Sequence, residues 1–249
     1  MKANISQVNK FIKCISSVVE DTPFGMRVRD GDPEYPIFYN EIYEEITTKV
    51  DPFARVLFGM SKCVITAPSL KGVVIKIPFS GTYECYFDDD HEDNDYVYED
   101  DEYIFSPFSC AETKDGWDYC MSEYEKYKEL RRRNLECFVA QTQFYNITEN
   151  NLRVFLQEKI ISREYDTFDR VPSLRSKDIA KQWQAQDLLT VDTTWLASCI
   201  DNYGESKTKR FLDYCQDKNY QIIADFHYGN YGYRNDGTPA ILDYSGFKD

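Results

Sequence analysis

The stretch "ADFHYGNYGYRNDGTPAILDYSGFKD", residues 224–249, decides how this chain is read. Asp225 is followed five positions later by Asn230, and Asn230 is followed thirteen positions later by Asp243. Between the last two, short strand-type runs flank Asn235, Asp236, Gly237 and Thr238, the composition of a tight hairpin turn. One loop thus presents a carboxylate, the turn after it an amide oxygen, and a hairpin later a second carboxylate. Hard oxygen donors of this kind suit divalent cations and the phosphates that travel with them.

Bulk properties limit what such a constellation serves. A chain of 249 residues with 42% hydrophobic content is long enough for one large domain or two lobes, each with a core. Its net charge of −14 argues against a nucleic-acid partner, which a basic surface would have to grip. The excess is local. Residues 88–102, "DDDHEDNDYVYEDDE", hold ten acidic side chains and no Lys or Arg, and without them 33 acidic residues face 29 basic ones. Like charges repel and nothing in this run builds a core, so a disordered loop is expected over about 81–112. It lacks the Gly and ligand spacing of an EF-hand. The eight cysteines are scattered, with no CxxC pair and no zinc-type spacing, and read as reduced thiols of a cytoplasmic protein. No window resembles a membrane span or a signal peptide, so no membrane partner is expected.

Upstream, Ile5, Val8, Ile12, Ile15 and Val19 recur at helical spacing, and "EIYEEITTKV" suits a short second helix. From residue 54 the character changes. "ARVLFGMSKCVITA" and "GVVIKIPF" are apolar and rich in β-branched residues, and read as three consecutive antiparallel strands. After the acidic run comes a helix, "DYCMSEYEKYKELRRRN", then two strands, "CFVAQTQFYNIT" and "NLRVFLQEKII", then amphipathic helices in "SLRSKDIAKQWQAQDLL" and "SKTKRFLDYCQDKN". The expected fold is α+β: a five-stranded antiparallel lobe with one helix, followed by a reduced, mainly helical lobe. The expected divisions are a helical extension over 1–53, a first lobe over 54–160 with the acidic insertion at about 84–110, and a second lobe over 161–249.

This order, together with its motifs, resembles a protein kinase. "DFHYGN" looks like the catalytic loop Asp-x-x-x-x-Asn, "LDYSG" stands where kinases place the metal aspartate of Asp-Phe-Gly, and "GVVIKIPF" is similar to their Val-Ala-Ile-Lys strand. Within the family the likeness is to the small early protein kinases of short-tailed lytic bacteriophages, and it extends over about 54–249. The loop with His227 also resembles that of aminoglycoside and choline kinases.

The resemblance implies ATP and Mg²⁺ as cofactors and a serine or threonine hydroxyl of a host protein as acceptor. It implies Asp225 as the base toward that hydroxyl, Asn230 and Asp243 as metal ligands, Lys76 on the α- and β-phosphates with Glu123 as its partner (Glu125 as the alternative), and His227 near the transferred phosphate or bracing the loop. Main-chain groups of Glu158 and Ile160 would meet adenine. Gly59 is the one glycine left of the Gly-rich loop, and Lys62 in the same stretch would add a cation above the phosphates. Departures from the pattern are Ala224 where many kinases have Arg, and no activation segment or large helical lobe before Asp249. The acceptor would then be recognised elsewhere. The thinned glycine loop also leaves room for a pseudokinase that binds nucleotide and a partner protein, and the His-containing loop for a small-molecule phosphotransferase. Oligomeric state is not legible. Two histidines in all and the lack of a Gly-x-Ser-x-Gly elbow argue against a serine hydrolase, and neither a Walker loop nor a dinucleotide fingerprint is present.

Overall fold

The computed structural model describes residues 3–21, 26–29, 37–58, 62–78, 80–84, 102–106, 119–148, 153–162, 171–185, 192–217 and 229–244. The fold is α+β, with a five-stranded antiparallel sheet and several helices. Contacts divide the chain into two compact units, residues 1–120 with 144–156, and residues 121–143 with 157–249.

In the first unit, helices α1 (Ile5–Asp21) and α2 (Ile37–Lys49) precede strands β2 (Arg55–Phe58), β3 (Lys62–Thr66) and β4 (Val73–Pro78). These three strands pair antiparallel in sequence order, as their apolar, β-branched runs predict. With β7 (Thr142–Ile147) and β8 (Arg153–Glu158) the sheet runs β2-β3-β4-β8-β7. Alternation then sorts the side chains. Val56, Cys63, Ile65, Val73, Ile75, Ile77, Val154 and Leu156 line one face, and Val8, Phe11, Ile12, Ile15 and Val18 of α1 join Ile42 and Ile46 of α2 in the same buried cluster. Residues 1–53 therefore contribute two helices to the core of the sheet.

A second sheet, β1-β6-β5, consists of β1 (Met26–Arg29), β5 (Ser80–Glu84) and β6 (Glu102–Ser106). Strands β5 and β6 are antiparallel, with Glu84 opposite Glu102 and Ser80 opposite Ser106. The expectation of one unstructured loop over about 81–112 is corrected at both of these strands. The flanks of the acidic run, above all Tyr103, Ile104 and Phe105, have the aromatic and β-branched composition that favours pairing. Residues 85–101 lie outside the described residues.

The second unit holds α3 (Tyr119–Arg132) from Met121 onward, α4 (Leu174–Ala185), α5 (Thr193–Tyr203), α6 (Glu205–Asp217), and the strands β9 (Ile161–Ser162), β10 (Tyr231–Tyr233) and β11 (Pro239–Ile241). Its core gathers Leu130, Phe138, Trp195, Leu196, Phe211, Tyr231, Tyr233 and Tyr244, with the Phe138 and Phe211 rings stacked at 4.3 Å. The three strands form a small antiparallel sheet in the order β11-β10-β9. Gly232 fits there because its backbone lies against Ile161; a Cβ would fall 1.8 Å from the Ile161 carbonyl oxygen. Among the described residues no helix is long and apolar enough to cross a membrane.

Candidate functional site

The β10–β11 hairpin forms where its turn residues require it. Gly237 takes φ 90°, the left-handed region that glycine tolerates, and the Arg234 N–H donates to the Thr238 carbonyl at 2.8 Å. The Asp236 carboxylate accepts from the Thr238 N–H at 2.9 Å and from its hydroxyl at 2.8 Å. With the tip fixed, the two ends of the hairpin meet. The Asn230 carbonyl accepts from the Leu242 N–H at 2.8 Å and from the Asp243 N–H at 3.3 Å. Asn230 is buried and Asp243 half-buried. Thirteen residues apart in sequence, the two stand side by side.

This donor set suits a hard cation. An amide oxygen and a carboxylate supply two oxygen ligands, and Mg²⁺ typically takes only one or two from protein, the rest coming from phosphate and water. Among the described residues no three of His, Cys, Asp and Glu cluster tightly enough to hold a metal ion by themselves.

In the first unit, Lys76 on β4 lies opposite Val64 on β3, and Lys62 opposite Pro78. Cross-strand partners share a face, so Lys62 and Lys76 project from the same side of the sheet as diagonal neighbours, away from the α1 and α2 side. Both are buried. Lys62 is thus a strand residue, where the sequence placed it in a glycine-type loop. Val64, Val74 and Leu57, the residue opposite Val64 on edge strand β2, share this face. On this face both lysines and Val74 are buried and Leu57 is exposed.

Glu123 is fully buried in α3. Its carboxylate accepts from Gln157 Nε2 at 3.0 Å, and the same nitrogen donates to Thr142 Oγ1 at 3.0 Å. Thr142 Oγ1 and the Tyr244 hydroxyl are 2.6 Å apart, and Tyr244 donates to the Ala140 carbonyl at 2.8 Å. Burial, seconded by the Glu123 carboxylate, pushes the Tyr244 phenol well above its usual range. Glu125, by contrast, pairs with Lys128 at 2.9 Å on an exposed face of the helix.

Strand β8 ends at Glu158, and Ile160 follows just before β9. The Glu158 N–H donates to the Gln141 carbonyl at 2.8 Å, which commits that group; the expected adenine contact at Glu158 is restricted to its carbonyl. The Glu158 carboxylate accepts from Arg234 Nε at 3.0 Å. Arg234 also donates to the Cys137 carbonyl at 3.1 Å, the Val139 carbonyl at 2.9 Å, the Pro239 carbonyl at 3.2 Å and the Tyr203 hydroxyl at 3.0 Å. One guanidinium thereby ties the hairpin to the end of β8, to the segment after α3 and to the end of α5.

Of the residues singled out by sequence, Asn230 and Asp243 come together in the second unit, and Lys62 and Lys76 share one face in the first. Gly59, Asp225 and His227 lie outside the described residues. Gln157, Thr142, Tyr244 and Arg234 were not singled out. Gln157 carried a faint signal, a polar side chain inside an otherwise apolar strand, and Arg234 carried none, since it sits among ordinary turn residues. Comparisons with family models, with curated proteins and with solved structures find no match to this chain.

Proposed function

We propose that this chain is a compact protein kinase of the serine/threonine type, moving the γ-phosphoryl group of ATP to a hydroxyl on a protein acceptor. The observation that carries the reading is the hairpin closure that brings Asn230 and Asp243 together through their main chains. Further support comes from the two buried lysines that share one face of the sheet, cations of the kind that charged phosphates demand. The burial of Glu123 and the exposed ion pair of Glu125 favour Glu123 as the carboxylate that aligns Lys76.

In this reading Asn230 and Asp243 hold Mg²⁺ against the phosphates, and Lys76 meets the α- and β-phosphate oxygens. When bound there, Mg²⁺ would supply positive charge to offset the negative charge of the phosphates. Asp225 accepts the proton of the acceptor hydroxyl as its oxygen bonds to the γ-phosphorus; the bond from that phosphorus to the β–γ bridging oxygen breaks, and ADP leaves with the electron pair. Little covalent chemistry falls to the protein, and most of the catalysis is positioning and fixed charge.

The test is incubation of the purified protein with γ-labelled ATP and Mg²⁺, alone and with cell extract. Wild type is expected to transfer label, and Asp225→Asn to transfer none while retaining its fold. Nucleotide binding with no transfer under any condition would identify a pseudokinase, and equal labelling by wild type and Asp225→Asn would overturn the site.

A further inference from the structure

The buried chain from Glu123 to Tyr244 runs through Gln157 and Thr142, each link within hydrogen-bond distance. The Gln157 amide nitrogen lies against a carboxylate, which only accepts, so the N–H₂ end must face Glu123; the flipped amide would set oxygen against oxygen. Its second hydrogen goes to Thr142 Oγ1. The Thr142 and Tyr244 hydroxyls are in hydrogen-bond contact with each other, and both also reach the Ala140 carbonyl, at 3.4 Å and 2.8 Å. Thr142, Gln157 and Tyr244 are each at most 2% exposed, so water does not compete for these bonds. Tyr244 directly follows Asp243, whose own N–H is held by Asn230.

We propose that Thr142, Gln157 and Tyr244 form a positioning relay that fixes the Glu123 carboxylate in one orientation and ties it to the register of Asp243. This inference rests on the kinase reading above. The three residues touch no reacting group in it; they act through Glu123. A shift of the strand end at 243–244 moves the Tyr244 hydroxyl, weakens its bond to Thr142 and loosens the Thr142 hydroxyl that accepts from Gln157. Glu123 then loses the hold of the Gln157 amide. Metal-side and phosphate-side alignment are thereby coupled within one unit.

A double-mutant cycle tests this, reading the affinity of a fluorescent ATP analogue with Mg²⁺. Thr142→Val keeps shape and removes the hydroxyl. It is expected to weaken binding about fivefold, the worth of one net buried hydrogen bond, and Thr142→Ser to restore wild-type affinity. In a Glu123→Gln background, Thr142→Val is expected to cause no further loss, because the charge that the relay aims is already gone. Should Thr142→Val not fold, Tyr244→Phe takes its place in the same cycle. Wild-type affinity in the single variant, or losses that multiply across the cycle, would overturn the relay while leaving the nucleotide site standing. Failure of the wild type itself to bind the analogue would overturn the kinase reading and the relay with it.

Discussion

Arg234 shows how a residue in a turn comes to hold a unit together. Its guanidinium meets a carboxylate, three carbonyls and a phenol, and such fork geometry has no substitute in lysine. Arg234→Lys is expected to cost about 3 kcal/mol of unfolding free energy, since buried carbonyls and the Glu158 carboxylate lose their donors; chemical denaturation measures it. Gly232→Ala is expected to cost about 1–3 kcal/mol in the same experiment, because the added carbon meets backbone that cannot step aside. The third case is a matter of pH. The Thr238 N–H, joined by its hydroxyl, holds the Asp236 carboxyl below the usual carboxylate range. A depressed folded value means that the stabilisation is present above the unfolded value of about 3.9 and is lost as pH falls through the folded one. The stability gap between wild type and Asp236→Asn is therefore expected to close below about pH 4, and a gap independent of pH would contradict the assignment. Asn230 and Asp243 were legible because a hairpin of fixed length dictates where its ends meet. Arg234 was not, because its role depends on carbonyls that come from segments about a hundred residues away.

At the scale of elements, helices were legible where one face is apolar and hidden where every face is. The stripe of α1 marks it in the sequence, and Val8, Ile12 and Ile15 are buried as expected, whereas Ile5, counted in the stripe, is half exposed and Phe11, not counted in it, is fully buried. Phe11→Ala is expected to cost about 3–5 kcal/mol and Ile5→Ala less than about 0.5 kcal/mol, a contrast that thermal and denaturant unfolding will show; comparable losses would place α1 differently. Helix α5 escaped sequence reading for the opposite reason. Residues 195–200 are all buried, and a helix surrounded by core has no amphipathic period to detect. What the sequence did hold was its start, Asp192, whose carboxylate accepts from the Trp195 N–H at 2.7 Å, and its stop, Gly204. Strands β5 and β6 escaped because the acidic run between them dominates the composition of the whole segment, although pairing is decided by the residues at its two flanks.

At the scale of the molecule, each of the two units carries part of the proposed chemistry: the first a face with two buried lysines, the second a closed hairpin that joins Asn230 to Asp243 and a buried carboxylate. The strand order of the first three strands, the helix before β7 and the late hairpin followed from periodicity and turn chemistry. The packing of residues 1–53 did not, because an amphipathic helix states that it has a partner and not which one. The proposal on which the account turns is that the chain binds a magnesium nucleotide and that Lys76 and Asp243 both contribute to that binding. Titration calorimetry with ATP, run in Mg²⁺ and again in EDTA, tests it on wild type, Lys76→Met and Asp243→Ala. Wild type is predicted to bind, and Lys76→Met to bind about tenfold or more weakly while still responding to Mg²⁺, consistent with the loss of a charge-assisted contact. Asp243→Ala is predicted to lose the response to Mg²⁺ altogether. Three proteins that bind alike, or a wild type that binds no nucleotide in either condition, would contradict it.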